Sequence, residues 1–238
     1  MSALTLDLGR FVAGLELRQI PAEGVATART GIADCFGVLI AGARDPEVAL
    51  IDRELGVVIS TNGAAASLIP SGERRSLTSA ALINGIAAHV LDYDDVSLDG
   101  HPSAVLVPAI LAQGEASGSS GAEMLTAYVA GFEVWAEILA REPTPLHRKG
   151  WHPSAVLGAV AAAAACAKLR RLDPDHFEYP EDFRNVVQAN RPVIDASDAV
   201  RNLTRSSDDI LEAIRSIKSS RWCERSERID RLVEEAEA

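Results

Sequence analysis

Apolar residues recur every three or four positions over most of the first 172 residues, the spacing of helices that bury one face. Leu4, Leu8, Phe11, Val12 and Leu15 form one stripe and predict a helix over 4–18. Pro21 suits a helix N-terminus, and Val25, Ala28, Ile32, Cys35, Phe36 and Leu39 then repeat until Gly42. Pro46 opens a shorter helix to Leu55, after which Val57, Val58, Ile59 and the 63–72 stretch lose the period, allowing a short strand or hairpin. Helical spacing resumes over 76–92 with Leu77, Ala80, Ala81, Asn84, Ala88 and Leu91, and again over 103–117. Ser120 and Glu123 have the form of a capping box and open a long helix to Leu139, ended by Pro143 and Pro145. A last Ala-rich helix runs from Pro153 to Leu172, where Asp173-Pro174 breaks it. The pattern predicts an all-α fold.

The texture changes after this point. Beyond Pro174 apolar residues thin out and charges of both signs crowd in, so the chain divides into a helical domain over 1–173 and a charged tail over 174–238. Within the tail, Ser207, Asp208 and Asp209 could start a helix carrying Ile210, Leu211, Ile214 and Ile217, and Ile229, Leu232 and Val233 could stripe another.

Composition narrows the function classes. Of 238 residues 47% are hydrophobic, enough for a sizeable core, and only 5% are aromatic, which favours closely packed helices over sandwiched strands. A formal charge of -11 argues against nucleic acid or an anionic membrane as partner. The three cysteines, Cys35, Cys166 and Cys223, form no CxxC pair and read as small thiols in a reducing compartment. The N-terminus, with Asp7 and Arg10 in its first turns, is unlike a secretory signal, and the uncharged run 151–167 is short for a bilayer span. A cytoplasmic location is expected.

The polar positions that interrupt this pattern are concentrated. His89, Asp92, Tyr93, Asp94 and Asp95 are followed by Ser97, Asp99 and His101. On a helix ending near here His89 and Asp92 share a face, and three acids at a helix C-terminus oppose its dipole. An arrangement that local folding does not ask for points to function, while its plain reading is a solvated loop. Asp94, Asp95 and Asp99 lack the Gly and terminal Glu of an EF-hand loop, and no metal or other cofactor is expected. His101-Pro102-Ser103 and His152-Pro153-Ser154 repeat one tripeptide before an apolar helix, placing an imidazole at each helix mouth beside free backbone N–H groups. Such histidines can act as acid, base or carboxylate binder; the plain alternative is capping and turn chemistry. Arg148 and Lys149 offer nearby cations. Trp135 and Trp151 read as packing residues.

These segments carry a family resemblance. Ala81-Leu-Ile-Asn84-Gly85-Ile-Ala-Ala88-His89-Val-Leu-Asp92-Tyr93-Asp94-Asp95 resembles the MmgE/PrpD signature, roughly A-x-x-N-G-x-x-A-H-x-x-D-[FY]-D-D. His101-Pro102 with Pro108 resembles the family's next helix, Ala127-Tyr128-Val-Ala-Gly131-Phe-Glu133-Val its A-Y-x-x-G-[YF]-E-V helix, and Gly150-Trp151-His152-Pro153-Ser154-Ala155 its G-[FW]-H-P-[ST]-[AS] element. The resemblance covers about 5–173. It implies an all-helical domain, a smaller α+β lid domain, dimerisation, and redox-free chemistry on small polycarboxylates, as in 2-methylcitrate dehydratases, cis-aconitate decarboxylases and epimerases. Their common step is proton movement at carbon beside a carboxylate.

Carried over by resemblance, Asp92, His101 and His152 match positions lining the family's active site, with His101 or His152 as proton-transfer group and Asp92 as its orienting partner. Asp94 and Asp95 match neighbouring acids, and with Lys149 are the expected substrate contacts. Val96 stands where many members have Thr, and neither a Lys-containing S-K-x-x-H-A-G segment nor the lid is recognisable after Pro174. The chain is therefore expected to be a shortened, 2-methylcitrate dehydratase-like lyase or isomerase, a homodimer or one completed by a second polypeptide supplying the lid. The alternative is a non-catalytic helical binding or assembly module.

Overall fold

The computed structural model describes residues 4–55 and 64–174. The expectations for 57–59 and for helices in the charged tail lie outside them. Within them the chain is mostly helical: α1 (Leu4–Gly14), α2 (Ala22–Gly42), α3 (Pro46–Leu55), α4 (Leu77–His89), α5 (Pro102–Ser117), α6 (Gly121–Ala140) and α7 (Pro153–Leu169). Short 3-10 turns at Leu17–Gln19 and Leu146–Lys149 precede α2 and α7. The break after Leu55 does contain a small antiparallel hairpin, β1 (Ala65–Ser67) and β2 (Arg74–Ser76), with Ala66 opposite Arg75.

Local chemistry sets several boundaries. Ser76 caps α4, its hydroxyl accepting from the Ser79 N–H at 3.2 Å. Ser120 and Glu123 close the expected capping box at the start of α6. Asn84, from the family-like motif, is buried, and its side chain ties the hairpin to α4: Oδ1 accepts from the Ile69 N–H and Nδ2 donates to the Ser67 carbonyl, both at 3.0 Å. Arg75 sends its guanidinium inward to Asp52 of α3, a bidentate pair at 2.8 and 3.0 Å, and to Glu73.

Helix α5 is the central element. It packs on α2, α4, α6, α7 and β1, and buries residues on every side, including Ala104, Leu106, Val107, Ile110 and Ala112. A helix that is apolar all round belongs in an interior, and its neighbours cover it with small residues such as Ala80, Ala87, Ala127, Ala161 and Ala165. The arrangement brings the C-terminal end of α4 beside the N-terminal ends of α5 and α7.

Helix α2 stands apart from this pattern. It is long and apolar enough by composition to cross a membrane, yet only 17% of its most apolar window is buried, and Ile40 is 48% exposed. Its apolar residues Val25, Ala28, Ile32, Cys35, Phe36 and Leu39 lie against the core, and its open side mixes Glu23, Thr27, Arg29, Thr30 and Asp34 with small residues and Ile40, the pattern of a helix at the edge of a packed domain.

Candidate active site

The site is built where α4 stops. The spacing argument had Asp92 on the helix face of His89; instead α4 ends at His89, and Asp92 sits in a turn with φ of 52°, its N–H returning to the His89 carbonyl at 2.9 Å. Leaving the helix lets the next residues fold back under it. Asp94, not Asp92, makes the histidine contact: His89 Nδ1 lies 2.9 and 3.1 Å from its two carboxylate oxygens. The second oxygen also faces His101 Nδ1 at 3.1 Å. That pair lies off the direction a hydrogen bond needs, and His101 Nδ1 is buried without a hydrogen-bond partner.

The Asp94 side chain is wholly buried between these two rings. Burial alone raises its pKa, but the hydrogen bond and charge of His89, with help from His101, bring it below the usual carboxylate value. The same hydrogen bond, against some desolvation, holds the His89 imidazole above its ordinary value. Asp95 turns the other way and accepts from the Ser103 N–H at 3.1 Å. It therefore serves the N-terminus of α5, where an acid complements the helix dipole, since His101 itself supplies no side-chain cap. Acids that oppose one helix end thus serve the start of another.

Asp94 and Asp95, expected as substrate contacts, are engaged with protein groups. Lys149, the third such expectation, lies in the turn before α7 and pairs with Glu142.

Both His-Pro-Ser tripeptides behave as the pattern required, with Pro102 and Pro153 as first residues of α5 and α7. They also meet. The His101 N–H donates to Ser154 Oγ at 3.0 Å, and the His101 and His152 rings stack with centroids 6.3 Å apart and planes 16° from parallel. The His89 ring also lies against His101, with centroids 4.5 Å apart, and His147 meets His152 edge-on at 5.9 Å. His147 was not singled out from sequence; its only signal there is its place five residues before His152 in a basic turn. His152 is exposed, and desolvation followed by the charges of His101, His147 and His89 lowers its pKa.

The loop that carries these groups is held from below. Buried Trp135 donates from its indole N–H to the Leu98 carbonyl at 3.1 Å, and Ser97 and Gly100 form a small bridge. A Cβ at Gly100 would sit 2.8 Å from Ser154 Oγ and 2.9 Å from Trp135, so only glycine lets the two tripeptides approach this closely. Ser103 shares a 2.8 Å hydrogen bond with Tyr128 of α6. Trp151, expected as packing, is instead 58% exposed beside His152, and Tyr93 and Val96 are exposed on the turn after α4.

This constellation can be set against known proteins. A model described as the MmgE/PrpD N-terminal domain matches residues 6–179. The chain belongs to the MmgE/PrpD family. Among curated relatives it is 27% identical over 179 residues to a cis-aconitate decarboxylase of Homo sapiens, which covers 72% of this chain and 37% of that protein. A cis-aconitate decarboxylase-like protein of Aspergillus oryzae is 30% identical over 190 residues, covering 74% and 38% respectively. A cis-aconitate decarboxylase of Aspergillus terreus is 27% identical over 186 residues, covering 74% and 37%. The chain therefore matches little more than a third of the length of these family members. The matched part contains Asp92, Asp94, His101 and His152.

Proposed function

We propose that this chain carries the imidazole-bearing half of a lyase active site that moves a proton at the carbon next to a carboxylate of a small polycarboxylate. The observation that carries this reading is the meeting of Asp92, His101 and His152, distant in sequence, at the end of α4 and the starts of α5 and α7. His152, open to solvent and with a lowered pKa, is neutral near pH 7 and suits the proton acceptor. His101 faces the Asp94 carboxylate at 3.1 Å on one nitrogen and stacks on His152, its backbone N–H donating to Ser154. Asp92 projects from the positive-φ turn beside both histidines of the α4–α5 corner. The N-terminal end of α7 favours an anion near His152.

Relatives bearing the name cis-aconitate decarboxylase support an unsaturated tricarboxylate as the first substrate to try, ahead of 2-methylcitrate. Dehydration uses neutral His152 as proton acceptor, whereas loss of carbon dioxide leaves a carbanion-like centre that takes its proton from the protonated form of the same imidazole, which water then recharges. The reaction balances without a redox cofactor.

The exposure of Trp151 and His152 among the described residues supports a second segment, from a homodimer partner or another polypeptide, closing over the substrate. The test is to incubate the pure chain with cis-aconitate, citrate and 2-methylcitrate and to follow loss of carbon dioxide or water by NMR. Turnover abolished in Asp92→Asn and His152→Ala is the expected result; turnover untouched by both substitutions overturns the assignment. Saturable binding of these acids without turnover would favour the binding-module alternative.

A further inference from the structure

His89, Asp92, Asp94 and His101 each offer one donor atom to a cluster in which all four atoms lie within 4.8 Å of one another. We propose that these four side chains form a binding site for one divalent transition-metal ion of the zinc class. Donor chemistry selects the class. Two imidazole nitrogens and two carboxylate oxygens suit zinc, cobalt or manganese, whereas calcium and magnesium prefer oxygen-only shells.

The geometry is close to what such an ion needs. Bonds of about 2.0–2.1 Å in a tetrahedral site place neighbouring donors about 3.3 Å apart. His89 Nδ1 to Asp94 Oδ1 is 2.9 Å and His101 Nδ1 to Asp94 Oδ2 is 3.1 Å, so small side-chain adjustments open the cluster around a cation. The environment points the same way independently. His101 Nδ1 is buried and makes no hydrogen bond, and it faces a carboxylate whose side chain is wholly buried. In its Nε2–H tautomer the neutral imidazole turns the Nδ1 lone pair toward that negative charge; a metal ion accepts the lone pair and neutralises the carboxylate together.

The cluster is also preformed and reachable. Ser154 fixes the His101 backbone, and Trp135 holds the preceding loop at Leu98. On the other side His89 is 43% exposed and Asp92 is exposed, which leaves an approach for an ion and room for a water ligand.

An ion seated here occupies Asp92 and His101, so it blocks the proton chemistry proposed above; that consequence rests on the proposed function, while the binding does not. The experiment therefore reads binding without substrate. Tag-free full-length chain, stripped with chelator, is titrated with zinc against a chromophoric chelator and with cobalt by visible absorption. The expected result is one ion per chain, a cobalt spectrum showing nitrogen ligation, and affinity reduced at least about tenfold in His89→Ala and in the conservative Asp92→Asn. His147→Ala, outside the four, should bind like the parent. Circular dichroism establishes that each variant is folded. The proposal is overturned if the folded parent takes up no stoichiometric zinc, if magnesium binds as well as zinc, or if His147→Ala costs as much as His89→Ala. The first result would mean that Asp94 simply holds a protonated His89.

Discussion

The His101 N–H and the Ser154 hydroxyl are 3.0 Å apart, a bond that joins the first residue of one His-Pro-Ser tripeptide to the last residue of the other. Repetition in the sequence therefore has a structural counterpart: each copy starts a helix, and together they fix the spacing of two imidazoles. Ser154→Ala removes the acceptor and leaves a partly buried N–H unpaired, an expected cost of about 1–3 kcal/mol in urea unfolding. The same variant should change the chemical shifts of both His101 and His152. A shift confined to His152 would mean that the bond does not couple the two tripeptides.

The junction of α2 and α4 depends on a close approach at Gly42, where a Cβ would lie 2.0 Å from the Ala87 carbonyl oxygen and 3.0 Å from Val90. Backbone cannot yield as a flexible side chain does, so Gly42→Ala should destabilise by about 1–3 kcal/mol or more. Gly37, five residues earlier on the exposed side of the same helix, has nothing within 4 Å of its Cβ position. Gly37→Ala should stabilise by up to about 1 kcal/mol through helix propensity. Opposite signs in thermal unfolding check both.

Arg75 and Asp52 pin α3 to the hairpin, and the Arg75 side chain is only 9% exposed. Asp52→Ala should cost about 2–3 kcal/mol, less than a fully orphaned buried charge because Glu73 and the Arg74 carbonyl still accept from the guanidinium. Glu73→Ala, at a carboxylate that is 60% exposed, should cost under about 1 kcal/mol. Equal losses in denaturant titrations would sink this ranking.

Burial pushes the Cys35 thiol up to about 12, with the Asp95 and Asp94 carboxylates adding to it, and burial pushes Cys166 up to about 12 as well. Both folded values exceed the ordinary 9.0, so each thiol stays protonated in the native chain while the unfolded chain ionises. Their contribution is complete below pH 9.0 and is lost as pH rises above it. Stability should therefore fall through the alkaline range, and the fall should shrink in a Cys35→Ala, Cys166→Ala double variant. At pH 8, labelling of the wholly buried Cys35 should be no faster than unfolding, and slower than labelling of the partly exposed Cys166.

Much of the helical framework was legible along the chain. Period and punctuation placed α2, α3, α5 and α6 within a residue or two, because Pro, Gly and a capping box act locally. The hairpin after α3 was legible only as a loss of period, since three-residue strands carry too little alternation to read. The end of α4 was misplaced by about three residues: Val90 and Leu91 continue the apolar stripe, and nothing local announces that Asp92 takes a left-handed turn.

What the sequence by itself determined was the helices of the described residues, the two helix-mouth histidines and the family to which they belong, because each depends on neighbours within a few residues. Which acid serves which group was decided only by the tertiary structure. Asp94 reaches two imidazoles and Asp95 the α5 N-terminus because the turn after α4 reverses over helix ends brought together by packing on α5. Three adjacent acids look alike in sequence; burial and the direction of a helix dipole, which are properties of the packed chain, give them different partners.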